Sequence, residues 1–383
     1  MRKILFISTR NPFLNRFSGD VIRAKKFIIH LSKKNLVDVI SLNENNIKKK
    51  FTNIKYIGFK ESNLLEKLYF IFTSLFKLQP MQNGYFYSKN LNDYVIKNKN
   101  KYDLILSQSF RTAQFVPNDF KKKKILDMGD LYSLNYKRTF QQLNITNPMK
   151  FIYFIESLLI RKYEKKCFKK FDKIFLFSKK EIDSVNRLFK KKIIKINFGI
   201  DQVTNKFKYS KKNYKIIFVG NIKYTPNRVA CYEFVNKILP ELNKNYPNIE
   251  FHIIGEISKL DNFFLSKKNN VKILGKQNKL DRYLINSICG MANLNISSGV
   301  QTKLLTYMSY GLPSVCSEQV ANNFDKIKNF KLTYFKNNQD IIKLVIRFLK
   351  NKKISQQSSR RSLIAAKFFL WNKIFYKLDK ILK

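Results

Sequence analysis

The stretch SSGVQTKLLTYMSYGLPSV, residues 297–315, reads as a tight turn, a short helix and a Gly-Pro exit into an apolar strand. Gly299 permits the turn. The helix begins near Thr302, and Tyr310-Gly311-Leu312-Pro313 is an ordinary helix stop. An apolar run, MANLNIS (291–297), precedes it and LPSVCS (312–317) follows. The unit is strand–helix–strand, the repeat of a parallel sheet covered by helices. Lys303 stands in the first helical turn, where a cation is mildly unfavourable against the helix dipole. An anion bound beside it accounts for that placement; a chance lysine in a lysine-rich chain is the alternative.

The same alternation extends outward in both directions. Upstream lie YKIIFVG (214–220), a helix from about Pro226, IEFHIIG (249–255) and VKILG (271–275). The first half carries KILFIS (3–8), VDVISL (37–42), IKYIGF (54–59), YDLILSQ (102–108), KKILDM (123–128) and KIFLFS (173–178). Such continuous apolar runs suit strands buried on both faces. A helix is expected from about Asp20 to Lys33, with Ile22, Phe27, Ile28 and Leu31 near helical spacing. A longer one is expected from about Pro148 to Phe171, with Phe151, Ile155, Leu159 and Tyr163 as its apolar stripe. Arg161, Lys162, Lys165, Lys166, Lys169 and Lys170 crowd its last turns, as a solvated basic face or a membrane-surface contact. The polar stretch DQVTNKFKYSKKNY (201–214) separates the halves. The expected fold is α/β, with two Rossmann-like doubly wound domains facing a cleft. Their limits are 1–205 and 206–365, and a terminal helix in 366–383 packs back toward the first domain.

Composition narrows the function. Among 383 residues, 44% are hydrophobic and 15% aromatic, ample for two cores, which excludes a disordered chain. The net charge of +49 brings nucleic acid into consideration. Lysine dominates over arginine and is spread along the whole chain, which argues against a dedicated nucleic-acid interface. An anionic membrane surface fits the charge better. Cys167, Cys231, Cys289 and Cys316 show no paired spacing and read as reduced, buried thiols of a cytosolic protein. His30 and His252 are the only histidines, so no metal site is expected. The start MRKILFISTR reads as a first strand, not a cleaved leader. The apolar segments LYFIFTSLF and FIYFIESLLI are too short to span a bilayer, and the second contains Glu156.

Ligands of doubly wound sheets sit beyond the carboxyl ends of the strands, which directs attention to the loops there. After the first strand, Gly19 and Asp20 stand where TRNPFLNRFSGDVIR turns into a helix, either as a structural turn or as a ligand contact. In DMGDLYS (127–133), Asp127 and Asp130 can orient an acceptor hydroxyl, and Asp130 reads equally as a helix cap. In VGNIKYTPN (219–227), Thr225 and Pro226 suit helix initiation, while Gly220 and Asn221 present N–H groups suited to a diphosphate.

With these residues in place, the chain resembles the group 1 (family 4) retaining glycosyltransferases, closest to polysaccharide-associated sugar transferases. The resemblance rests on FVGNIKYTPNRVACYEFVNKILPELNKNYPNIEFHIIGE, then SSGVQTKLLTYMSYGLPSV, with FSGDVIRAKKFIIHLSKKNLVDVISL, INFGID and LWNKIFYKLDKIL in the family's order. It implies a GT-B architecture and a metal-independent enzyme without cofactor. Such an enzyme moves a sugar from a nucleotide-sugar donor to a lipid-linked or polysaccharide acceptor with retention. The implied setting is cell-envelope glycan synthesis, at the inner face of the cytoplasmic membrane. The implied donor site comprises Gly220, Asn221, Lys223, Gly299, Val300, Gln301, Lys303 and Thr306. Gly19, Asp20 and Asp130 are assigned to the acceptor side, and Asp130 and Lys303 to catalysis. Three family features depart, the first being that Gly129 precedes Asp130 where the family places a histidine. Ser298 and Thr306 stand where many members carry two glutamates, the second holding the donor ribose, and Lys223 is the sole candidate for a basic pair. A catalytically weak protein that binds a nucleotide or a partner is therefore an alternative, and a nucleic-acid binder a second.

Overall fold

In the computed structural model, residues 1–14, 18–42, 51–294, 301–324, 327 and 330–382 are described. The chain separates into two compact units, Met1–Asn197 and Phe198–Lys383.

The first unit holds seven strands: β1 (Lys3–Ser8), β2 (Leu36–Leu42), β3 (Ile54–Phe59), β4 (Leu104–Gln108), β5 (Lys123–Gly129), β6 (Lys173–Leu176) and β7 (Ile193–Lys195). Their order is β3-β2-β1-β4-β5-β6-β7, all parallel. The second unit holds β8 (Lys215–Val219), β9 (Glu250–Ile254), β10 (Val271–Gly275), β11 (Cys289–Ala292), β12 (Ser314–Ser317) and β13 (Thr333–Phe335). Their order is β10-β9-β8-β11-β12-β13, again all parallel. Ile4, Leu5, Phe6 and Ile7 of β1 are all buried, as are Ile216, Ile217 and Phe218 of β8, because helices cover both faces. Both sheets reverse direction beside their first strand, between β1 and β4 and between β8 and β11. These are the switch points at which doubly wound sheets open a crevice.

Several local readings shift. β11 begins at Cys289, two residues before the run read from sequence, and residues 295–300 lie outside the described residues. The Thr225–Glu233 helix takes Tyr224 as its N-cap, so Thr225 is already helical. A π-turn, Phe234–Ile238, joins it to the helix Leu239–Asn245. Pro240 explains the break: it lacks an N–H, and its ring would meet the carbonyl of Asn236 in a regular helix. The long helix runs Met149–Lys170, yet its buried face is Ile160, Tyr163, Cys167 and Phe168 with Glu156 and Glu164. Phe151, expected in the stripe, is exposed. The terminal helix is Trp371–Leu382, and Trp371 packs on Phe198 at 5.6 Å. All four cysteines are free and buried.

Candidate functional site

The second unit's switch point is built around Tyr307. The β8–β11 ladder pairs Ile216 with Cys289 and Ile217 with Gly290. Beyond it the strands part and their backbone groups need partners. The Tyr307 hydroxyl supplies them. It accepts from the Val219 N–H at 2.9 Å and faces the carbonyls of Ile217 and Met291 at 3.2 Å each. The ring reaches this position because residue 290 is glycine; a Cβ there would lie 2.5 Å from it. Tyr307 thus fastens the Thr302–Tyr310 helix over the point where the sheet opens.

One turn earlier on that helix stands Lys303. Its ammonium donates to Asn227 Oδ1 at 2.8 Å and lies 3.7 Å from the centre of the Phe218 ring. Asn227 Nδ2 donates to the Asn221 carbonyl at 2.8 Å. The Gly220–Asn221 turn, Asn227 and Lys303 therefore form one linked group beyond the ends of β8 and β11. Lys303 is only 6% exposed. Burial pulls its ammonium down to about 7, against a small opposing effect of the Cys231 thiol. An amide oxygen and a ring face, its partners among the described residues, neutralise little of that charge.

The turn is held from below by Gly255. Its φ is +150°, and a Cβ on it would fall 1.8 Å from the Gly220 carbonyl oxygen. Gly255→Ala is expected to destabilise the second unit by roughly 3 kcal/mol and displace the Gly220–Asn221 turn. Urea unfolding monitored by circular dichroism checks this; an unchanged transition would show that the backbone can move aside.

The other residues expected on the donor side divide. Asn221 is exposed, and its side-chain oxygen accepts from the Lys223 N–H at 2.9 Å, closing the turn. The Lys223 side chain is exposed. Gln301 is the N-cap of the Thr302–Tyr310 helix and makes no side-chain cap, while its carbonyl accepts from the Leu304 N–H at 3.0 Å. Thr306 is half-buried, and its hydroxyl donates back to the Thr302 carbonyl at 3.1 Å. That hydroxyl retains only acceptor capacity for a ligand. Gly299 and Val300 lie outside the described residues.

In the first unit the two loop carboxylates part company. The reading of Asp127 as an acceptor-facing carboxylate is overturned. Asp127 is locked in a bidentate pair with Arg23, Nε to Oδ2 at 2.7 Å and Nη2 to Oδ1 at 2.9 Å, both side chains 2% exposed. Arg23 also donates to the carbonyl of Asn197 at 2.8 Å. Asp130 follows β5 and caps no helix; Leu131 occupies the N-cap of Tyr132–Gln142. Its Oδ1 is buried without a partner among the described residues, as is Oε2 of neighbouring Glu181. Burial pushes the Asp130 carboxyl up to about 7 against the pull of Arg23 and Arg138, and holds Glu181 well above the usual carboxylate range, with Asp130 itself contributing. Two such buried carboxyls resist ionising together. Gly19 begins the first helix, and Asp20 pairs with Arg10 at 3.1 Å while its carbonyl accepts from Gln108.

Residues 213–351 match the family model described as glycosyl transferases group 1. The matched segment lies within one domain, the second unit. The linked residues Gly220, Asn221, Asn227, Lys303 and Tyr307 all fall inside the matched part of that domain. A protein of Klebsiella pneumoniae described as an uncharacterized 44.6 kDa protein in the cps region is 31% identical over 166 residues, 42% of this chain and 41% of that one. The alignments span about two fifths of the length of the curated relatives the chain matches. Sucrose-phosphate synthase of Thermosynechococcus elongatus has a TM-score of 0.77 at 11% identity, covering 100% of this chain and 98% of that one. Anabaena Alr3699/HepE in complex with UDP and glucose has a TM-score of 0.68 at 12% identity, covering 100% and 99%. At these identities the likeness is one of fold. Both sheets and the helices around them have the α/β architecture of GT-B glycosyltransferases, as expected.

Asn227 and Tyr307 are the site residues that the reading by sequence missed. Asn227 sat in the TPN segment, which helix initiation explained fully. Tyr307 carries no local signal that separates it from the apolar residues beside it on the helix.

Proposed function

We propose that the chain transfers a sugar from a nucleotide-diphosphate donor to a lipid-linked or polysaccharide acceptor, with retention, in cell-envelope glycan synthesis. The observation that carries this reading is the linked group at the second unit's switch point. An uncapped helix N-terminus and a buried lysine stand beside the Gly220–Asn221 turn. A helix N-terminus, its dipole end and a cation with little local neutralisation together suit a diphosphate. As the sugar leaves, charge accumulates on that diphosphate. Lys303 and the helix N–H groups take it up without a metal or cofactor. On the first unit, Asp130 faces the acceptor and can hold or pass a proton at its unpartnered Oδ1. The Gly19–Asp20 turn lies on the same acceptor side. The protein works on the cytoplasmic side, peripherally at an anionic membrane.

The similarity of the fold to a UDP-bound relative supports a uridine nucleotide among the donors to be tried first. A thermal-shift screen across sugar nucleotides tests the reading, since a bound donor stabilises by mass action. Stabilisation by none of them, together with no product release, would overturn it.

Thr306 favours a second reading, a nucleotide binder of weak activity, because its hydroxyl proton is already committed to the helix. Thr306→Glu is expected to tighten donor binding about tenfold, as a charged acceptor replaces a neutral one at the ribose. Titration calorimetry with the donor that the screen identifies checks this. Equal affinities would place residue 306 away from the ribose.

A further inference from the structure

The Leu64–Phe76 helix, LLEKLYFIFTSLF, is built inside out. Its one buried residue is Ser74. Leu64, Leu65, Leu68, Tyr69, Phe72 and Phe76 are all exposed, Leu65 at 78% and Phe76 at 73%. Positions 65, 68, 72 and 76 recur at helical spacing, so they form a ridge along one face. The helix is well formed despite this. Asn63 and Glu66 make a reciprocal capping box. It is also firmly seated on the body of the unit. The Phe70 carbonyl packs so closely on Gly84 that a Cβ there would lie 2.2 Å away. The Met81–Tyr85 segment in turn donates two N–H groups, from Met81 and Gln82, to the Glu156 carboxylate. Glu156 belongs to the Met149–Lys170 helix, whose first turns expose Phe151, Phe154 and Leu158. Two helices that pack on the same Met81–Tyr85 segment thus present large apolar side chains to solvent, well beyond the scattered single residues of an ordinary surface.

Charge decides what covers them. Exposed Lys60 and Lys77 stand at the two ends of the ridge. On the second helix the exposed face that begins with Phe154 and Leu158 continues into Arg161, Lys162 and Lys165. A second copy of a chain carrying +49 would bring like charges together at these rims. An anionic lipid surface instead attracts the rim while the apolar ridge enters the boundary between headgroups and acyl chains. No helix among the described residues is long and apolar enough to cross a membrane. A 13-residue helix lying in the plane of the interface needs no such length.

We propose that the exposed face of the Leu64–Phe76 helix, extended by Phe151, Phe154 and Leu158, inserts into the interfacial layer of an anionic bilayer. This deepens the membrane-side reading above by naming the surface. Sugar transfer is not required for it, so binding is measured without any donor. The full-length protein is sedimented with phosphatidylcholine vesicles with and without phosphatidylglycerol, at low and high salt. Leu68→Glu/Phe72→Glu is compared with Leu260→Glu/Phe264→Glu, a matched pair of exposed apolar residues on the second unit. The first pair is expected to lower partitioning onto anionic vesicles at least about tenfold, with part of the wild-type binding surviving high salt and the second pair leaving it intact. Because the substituted residues are exposed, both variants should fold. Separately, Phe72→Trp should be quenched by brominated lipid beyond the signal of buried Trp371 alone. Binding that high salt abolishes, or that both pairs reduce equally, would overturn the proposal. So would a wild-type dimer that Leu68→Glu/Phe72→Glu converts to monomer without changing vesicle binding.

Discussion

Lys303→Met is expected to weaken nucleotide-diphosphate binding ten- to a hundredfold while making the unliganded protein more stable below about pH 7. Both effects come from one buried ammonium. Charge-assisted hydrogen bonds contribute about 1.5–3 kcal/mol, which sets the range of the binding loss. The stability effect follows from proton linkage. The ordinary value for lysine is 10.5, and burial lowers Lys303 to about 7. Between those values the unfolded chain binds a proton that the folded chain does not. Stability contributed at this residue therefore rises with pH across the window and is least below its lower end. Methionine, of similar length and uncharged, removes that slope. The lost hydrogen bond to Asn227 offsets part of the gain. Calorimetric titration with a nucleoside diphosphate checks the first effect, with Lys352→Met on the exposed surface as control. Melting curves from pH 6 to 10, wild type against variant, check the second. Equal binding losses in the two variants would remove Lys303 from the site. A pH slope unchanged by the substitution would mean that its ammonium is not desolvated in solution.

Arg23→Met is expected to cost the first unit about 3–5 kcal/mol, enough to unfold much of it at ambient temperature. The reason is not the lost attraction but the Asp127 carboxylate left behind, buried and unpaired. Arg23→Met/Asp127→Leu should therefore recover most of the loss, as both charges leave together. Recovery stays incomplete because the carbonyl of Asn197 also loses its donor. Urea unfolding of both variants, with the first unit's transition followed separately, measures the coupling. Additive losses in the double variant would show that the pair acts as two independent packing residues.

The alternation of apolar runs and amphipathic stretches was enough to assign the fold, because strands buried on both faces leave little ambiguity in composition. β7 and β13 escaped because each is three residues long and carries no run to notice. The Gly220–Asn221 turn and the helix at Thr302 were legible from glycine and strand ends. Partnerships across the chain were not. Nothing near Asp127 in sequence announces Arg23, 104 residues away, so a structural carboxylate looked like a functional one. Asn227 bridges the Lys303 ammonium and the Asn221 carbonyl, Tyr307 meets the backbone of two strands, and no local pattern encodes either.

The π-turn at Phe234–Ile238 accounts for a contrast between two helices of different fate. Pro226, Ala230, Phe234, Ile238 and Leu242 recur every four residues, and all are buried. Four residues advance an α-helix by about 400°, so such a series precesses about 40° at each step. Left alone, it would swing from the sheet toward water within a few turns. The wider turn holds one residue more and takes back about 100°, restoring the phase. The Met149–Lys170 helix carries the same four-residue cadence in Phe151, Ile155, Leu159 and Tyr163 and has no such correction. Three steps from Tyr163 back to Phe151 accumulate about 120°. Phe151 is carried round to the outer surface by that uncorrected precession, and the helix acquires an apolar end facing away from its own core.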